Sequence, residues 1–108
     1  MATPRWLLTL PLALAATVGA ARGSAVEDRA GMFSPGAVKQ AEAELNRVER
    51  THRIGTVIET VDSLQGQDIA EVSLERAERS GIHGIYVLIA KQEHKLYDRV
   101  SGQYRRAI

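Results

Sequence analysis

The sequence predicts an α/β fold, a small layered domain in which helices cover a sheet built around a central β-α-β unit. Its clearest element is the continuous apolar run Gly84–Ala90, which is typical of a strand buried on both faces. A second segment rich in β-branched residues, 54–61, precedes it. Two segments with helical periodicity, 35–53 and 69–80, alternate with these strands, and such alternation is typical of α/β domains.

The first helix is predicted over residues 35–53. Ser34 is a good N-cap, and Pro35 suits the first helical position. Apolar side chains then recur every three or four residues and form one stripe: Val38, Ala41, Leu45, Val48 and, at its end, His52. The preceding residues, 26–33, are expected to form only the approach to this helix.

The β-α-β unit is predicted over residues 54–90. Asp68 caps its helix, Ile69–Ser80, and Gly81 follows the last helical residue. The two strands that this helix joins should be parallel. The segment Lys95–Val100 follows a short polar turn, so we expect an exposed, antiparallel edge strand beside Gly84–Ala90. Two helices leave part of such a sheet uncovered, which predicts either a minimal domain or one that is incomplete at its C-terminus.

The N-terminus has the pattern of a secretory signal peptide, assigned to residues 1–25. Arg5 precedes an apolar region, 6–18, and small residues follow. Cleavage after Ala20 or after Ala25 satisfies the small-residue requirement. The alternative is an uncleaved anchor in contact with the membrane, but the apolar region is short for a span and contains Pro11. The sequence therefore predicts a secreted or periplasmic protein of the cell envelope, with residues 26–108 as its domain.

Composition excludes several classes of function. The chain of 108 residues has no cysteine, so disulfides, thiolate metal sites and cysteine nucleophiles are ruled out. Its formal net charge of +1 includes Arg5 and Arg22, which lie in the predicted signal segment. The remaining charges nearly balance and are interspersed, so a nucleic-acid surface is not expected.

Asp28 and Asp62 are the candidate metal ligands. Asp62 follows the strand 54–61, and open α/β sheets place their sites at the carboxyl ends of the strands. Asp28 precedes the first helix and could approach the same edge. Two carboxylates there would suit Ca²⁺ or Mg²⁺, which prefer oxygen ligands. The alternative, which we favour, is a turn residue at Asp62 and a loop or capping residue at Asp28.

Three motifs together resemble the TPM domain family of exported or lumenal α/β domains. They are Val26-x-Asp28-x-Ala30-Gly31, then Ser63-Leu64-x-Gly66-x-Asp68-Ile69, and then the segment 80–90, which is similar to the family's Gly-Ile-Gly segment and following apolar strand. Two features depart from the family pattern. The link 81–84 is shorter and lacks acidic or Asn residues, and the usual Gly-rich acidic segment does not follow the last strand.

The resemblance implies the α/β fold and two classes of function. Some TPM domains are associated with acid phosphatase activity and divalent metal binding, whereas others serve in photosystem repair or as auxiliaries of membrane proteins. The first hypothesis is therefore an exported binding or accessory module whose partner is an envelope protein or a small ligand. The alternative is a divalent-metal-dependent phosphatase that uses Asp28 and Asp62. Whether the domain is an enzyme stays open at this point.

Overall fold

A computed structural model describes residues 23–102, which form one four-stranded sheet with two helices. The predicted signal segment lies outside the described residues up to Arg22, as do residues 103–108. The elements in chain order are β1 (Ala25–Asp28), α1 (Pro35–His52), β2 (Gly55–Val61), α2 (Ile69–Ser80), β3 (Gly84–Ala90) and β4 (Lys95–Val100). Neither helix in this part of the chain is long and apolar enough to cross a membrane.

The sheet has the order β1-β2-β3-β4. The β-α-β prediction is confirmed, because β2 and β3 are parallel and joined through α2, while β4 pairs antiparallel with β3. The predicted caps are also present. The side chains of Ser34 and Asp68 accept hydrogen bonds from the first-turn backbone of α1 and α2, and Gly81 ends α2 in a left-handed conformation.

The strand β1 is not in the sequence prediction, which treats residues 26–33 only as the approach to α1. β1 pairs in parallel with β2, with Val26 opposite Ile58 and Asp28 opposite Thr60. The segment has four residues and mixes two apolar with two acidic side chains. Because so short a strand shows no periodicity, pairing with β2 rather than local sequence determines its structure.

The two faces of the sheet are covered to different extents. On one face α2 packs over the main core, formed by the buried side chains of Val57, Val61, Leu64, Tyr86, Leu88 and Ala90. On the other face α1 contributes no buried residue, and alternate residues of β3 (Ile85, Val87 and Ile89) remain partly exposed. The expectation that β3 is buried on both faces is therefore wrong, because α1 packs mainly against β1 and β2 and leaves this face of β3 partly exposed.

β2 and β3 approach each other closely where both strands begin. Gly55 and Gly84 are paired in the register, and a Cβ atom on Gly84 would lie 2.0 Å from the carbonyl oxygen of Gly55. A side chain at position 84 would therefore push the two central strands apart.

Candidate functional site

Asp28 is the last residue of β1, and its carboxylate accepts three hydrogen bonds. The Thr60 hydroxyl donates to Oδ1 over 2.7 Å, and the backbone N–H of Met32 donates to the same oxygen over 2.9 Å. The backbone N–H of Phe33 donates to Oδ2 over 2.8 Å. In addition, the Ala30 N–H donates to the Thr60 hydroxyl oxygen over 2.9 Å, so Asp28 and Thr60 together hold the turn that leads into α1.

These contacts also set the charge state of Asp28. The hydrogen bond from Thr60 lowers the pKa of the Asp28 carboxyl below its usual value, and the two backbone donors and nearby Lys91 act in the same direction. The carboxylate is therefore ionised at neutral pH. Its position fits the capping alternative weighed from the sequence, since its hydrogen bonds fix the segment between β1 and α1.

Asp62 follows the last residue of β2, next to the strand that Asp28 ends. The side chain is exposed, and its backbone carbonyl accepts a hydrogen bond from Gln92 N–H over 3.0 Å. The fold thus brings Asp28 and Asp62 to the carboxyl ends of neighbouring parallel strands, although the strand that Asp28 ends is not in the sequence prediction. Within residues 23–102, however, no group of three metal-ligating side chains is assembled. Asp28 and Asp62 alone are fewer ligands than Ca²⁺ or Mg²⁺ takes, so a metal ion here would need further oxygen ligands.

Glu93, which the sequence analysis does not select, lies at the same end of the sheet. One oxygen of its carboxylate accepts the backbone N–H of Leu64 over 2.8 Å and the hydroxyl of Ser63 over 3.0 Å. The Leu64 donor is the main cause that lowers the pKa of Glu93. The other oxygen is buried and has no hydrogen-bond partner. Glu93 therefore ties the turn after β3 to the loop after β2, whose Leu64 is part of the core.

A buried carboxylate on the face of the sheet that α2 covers is the second group that the sequence analysis misses. Glu59 points from β2 towards α2, and its side chain is only 6% exposed. Arg76 of α2 donates to Oε2 over 2.6 Å and Arg29 donates to the same oxygen over 2.7 Å. The buried hydroxyl of Tyr86 donates to Oε1. Two arginines and a phenol therefore compensate the cost of burying this charge.

One sequence signal could have pointed to this cluster. Glu59 is an acidic residue at an inward position of a β-branched strand, and a buried acid requires partners. Tyr86 is the one residue with a polar group in the apolar run of β3. Arg29 and Arg76 lie far from Glu59 in the sequence, so their convergence depends on the register between β1 and β2 and on the packing of α2.

An apolar groove lies between α1 and the less covered face of the sheet. Its volume is about 340 Å³, and every lining residue is apolar. The wall from α1 and its approach consists of Phe33, Ala37, Val38 and Ala41, and the wall from the sheet consists of Val26, Ile58, Val87, Ile89 and Leu96. Phe33 and Leu96 are among the most exposed large apolar side chains described. This groove is where the uncovered surface expected from the sequence is found.

The TPM domain model matches residues 26–107, which is most of the chain. The chain belongs to the TPM domain family. The sequence motifs now have physical meanings within that domain. In the opening motif, Asp28 accepts the backbone donors of the turn, Ala30 donates to Thr60, and Gly31 adopts a positive φ of 63°.

A solved structure supports the fold of this TPM domain. The solution NMR structure of the N-terminal domain of a protein from P. gingivalis superposes with a TM-score of 0.68 at 16% sequence identity. The match covers 73% of this chain and 55% of the other, so the chain spans about half the length of that relative. At this identity the likeness concerns the fold alone. No curated protein matches the sequence.

Proposed function

We propose that this TPM domain is an exported binding or accessory module of the cell envelope, and that its groove between α1 and the sheet binds an apolar segment of another envelope protein. The observation that supports the proposal is the uniformly apolar lining of the groove. Contiguous exposed apolar surface is typical of interaction sites in soluble domains. Export is supported by the sequence pattern of the first 25 residues.

The chemistry of the walls selects the class of partner. A charged or phosphorylated group placed in the groove would lose its hydration and gain no hydrogen bond from the walls. Aliphatic or aromatic side chains would instead bury apolar area against Val87, Ile89 and Ala41, which is favourable at roughly 25 cal/mol per Å². The partner is therefore an apolar peptide segment rather than an acidic or phosphate-bearing ligand.

Two matched substitutions on α1 test the groove. Ala41→Gln puts a long polar side chain into it, whereas Ala43→Gln changes an exposed position on the same helix. A photo-crosslinking side chain at Leu96, which lines the groove, is used in the exporting cell. We expect a defined envelope-protein adduct that Ala41→Gln abolishes and Ala43→Gln retains. An adduct that survives Ala41→Gln, or the absence of any adduct, contradicts the proposal.

The second candidate function is a divalent-metal-dependent phosphatase. It is favoured by the position of Asp28 and Asp62 at the ends of neighbouring parallel strands, in a family with some phosphatase-associated members. The test is hydrolysis of p-nitrophenyl phosphate with and without added Ca²⁺ or Mg²⁺. Metal-dependent turnover that is lost in Asp62→Asn would reverse the order of the two proposals. Asp62 is suitable because it is exposed, so its substitution leaves the fold intact.

A further inference from the structure

We infer that export processing cleaves the chain after Ala20, so that the mature protein begins at Ala21 and keeps Ser24 and Ala25. The inference rests on the proposed export of the domain. Sequence alone allows cleavage after Ala20 or after Ala25, since each has small residues at the required positions. The family match begins at residue 26, which would fit the second site equally well. The contacts of residues 24 and 25 distinguish the two.

Ser24 is a structural part of the folded domain. It is buried, with 8% of its surface exposed. Its backbone N–H donates to Glu49 Oε1 over 2.9 Å and its hydroxyl donates to the same oxygen over 2.8 Å. The hydroxyl oxygen in turn accepts the backbone N–H of Thr56 over 2.9 Å. Ser24 therefore connects the end of α1 with the start of β2.

Ala25 is the first residue of β1 and lies opposite Val57 in the parallel register. Cleavage after Ala25 would remove one residue from a strand of four. It would also leave the Thr56 N–H without its acceptor and the Glu49 carboxylate without its two Ser24 donors. The nitrogen of Val26 would keep its contact with Glu42 Oε2, which does not replace these bonds.

Cleavage after Ala20 leaves all of these contacts in place. The new terminus then lies three residues before Ser24 in the sequence. Signal peptidase acts on the chain before it folds, so the fold does not protect either site. The difference lies in the product, since only the longer product retains the complete β1 and the contacts of Ser24 with Glu49 and Thr56.

The direct test is the intact mass of the protein recovered from the envelope of a cell that exports the full chain. A mature form beginning at Ala21 is expected, and any other start overturns the assignment. Ala20→Tyr should abolish the form that begins at Ala21, whereas Ala25→Tyr should leave the cleavage position unchanged. Processing at Val26 would refute the inference and leave export intact. An unprocessed protein confined to the cytoplasm would refute export itself and the inference with it.

A second measurement tests the structural reason. Chains that begin at Ala21, Gly23 and Val26 are compared by thermal unfolding. The first two should have equal midpoints, because both retain Ser24. The chain that begins at Val26 should unfold about 5 °C or more below them, since a domain of this size shifts by several degrees for each lost buried interaction. Equal midpoints for all three would overturn the argument.

Discussion

The hydroxyl of Tyr86 provides a sharp test of how the core tolerates a buried carboxylate. Tyr86 is 1% exposed and donates to Glu59, which also receives Arg29 and Arg76. The substitution Tyr86→Phe removes one hydroxyl and keeps the ring. Hydrogen bonds to charged groups contribute about 1.5–3 kcal/mol, so we expect the free energy of unfolding to fall by about 2 kcal/mol.

Urea denaturation followed by far-ultraviolet circular dichroism is the suitable assay, because the single tryptophan, Trp6, lies in the predicted signal segment. With a slope of about 1 kcal/mol per molar urea for a small domain, the midpoint should decrease by about 2 M. Tyr97→Phe is the control, since Tyr97 is a partly exposed residue of the edge strand β4. We expect that variant to change stability by less than about 0.5 kcal/mol.

A double-mutant cycle that combines Tyr86→Phe with Glu59→Gln isolates the contribution of this hydrogen-bonded pair to the free energy of unfolding. If the hydroxyl and the carboxylate interact as described, the coupling energy should be about 1 kcal/mol or more. A Tyr86→Phe variant as stable as the wild-type protein, or a coupling energy near zero, would refute the view that Tyr86 compensates the buried charge of Glu59.

Further predictions concern the strand junction and pH. Gly84→Ala should destabilise the domain by about 3 kcal/mol or more, because the added Cβ would meet the Gly55 carbonyl. The control is Gly36→Ala on α1, where the added Cβ lies in open space and should not destabilise the domain. Chemical denaturation of the two variants tests the difference. The pKa values of Asp28 and Glu93 are lowered in the folded domain, so below about pH 4 the unfolded chain binds more protons than the folded one. The thermal midpoint should therefore fall as the pH decreases, and it should fall less steeply in Asp28→Asn. The raised pKa of Tyr86, caused by burial and then by Glu59, has the opposite consequence: the unfolded chain loses this proton first, so stability should decrease above about pH 10 in the wild-type protein and less in Tyr86→Phe.

The sequence predicts the elements that carry their own local signals. Ser34 and Asp68 define the starts of the helices, Gly81 ends α2, and the aliphatic residues of β3 define the central strand. β1 is missed because its stability comes from pairing with a strand about 30 residues away. The prediction that β3 is buried on both faces is also wrong, because an aliphatic run shows that a face is apolar and does not show whether a helix lies over it.

The candidate site likewise has a part that the sequence predicts and a part that it does not. The predicted strand topology places Asp62 at the carboxyl end of β2, whereas the position of Asp28 at the end of β1 depends on a strand that the sequence analysis misses. The partners of Asp28 could not be read from the sequence, since Thr60 lies 32 residues away and the backbone donors of Met32 and Phe33 depend on the shape of a turn. The cluster around Glu59 similarly requires α2, β3 and the turn after β1 to converge on β2.

The carboxylates on α1 affect whether a strand from another chain can pair with the edge of the sheet. Glu42 and Glu49 accept the N–H groups of Val26 in the edge strand β1 and of Ser24 just before it, so these donors are already bonded within the domain. The opposite edge, β4, carries Lys95, Asp98 and Arg99, and charged edge strands disfavour pairing. Both borders of the sheet thus resist strand addition. The groove between α1 and the sheet is therefore the more accessible surface of the described domain for contact with another polypeptide.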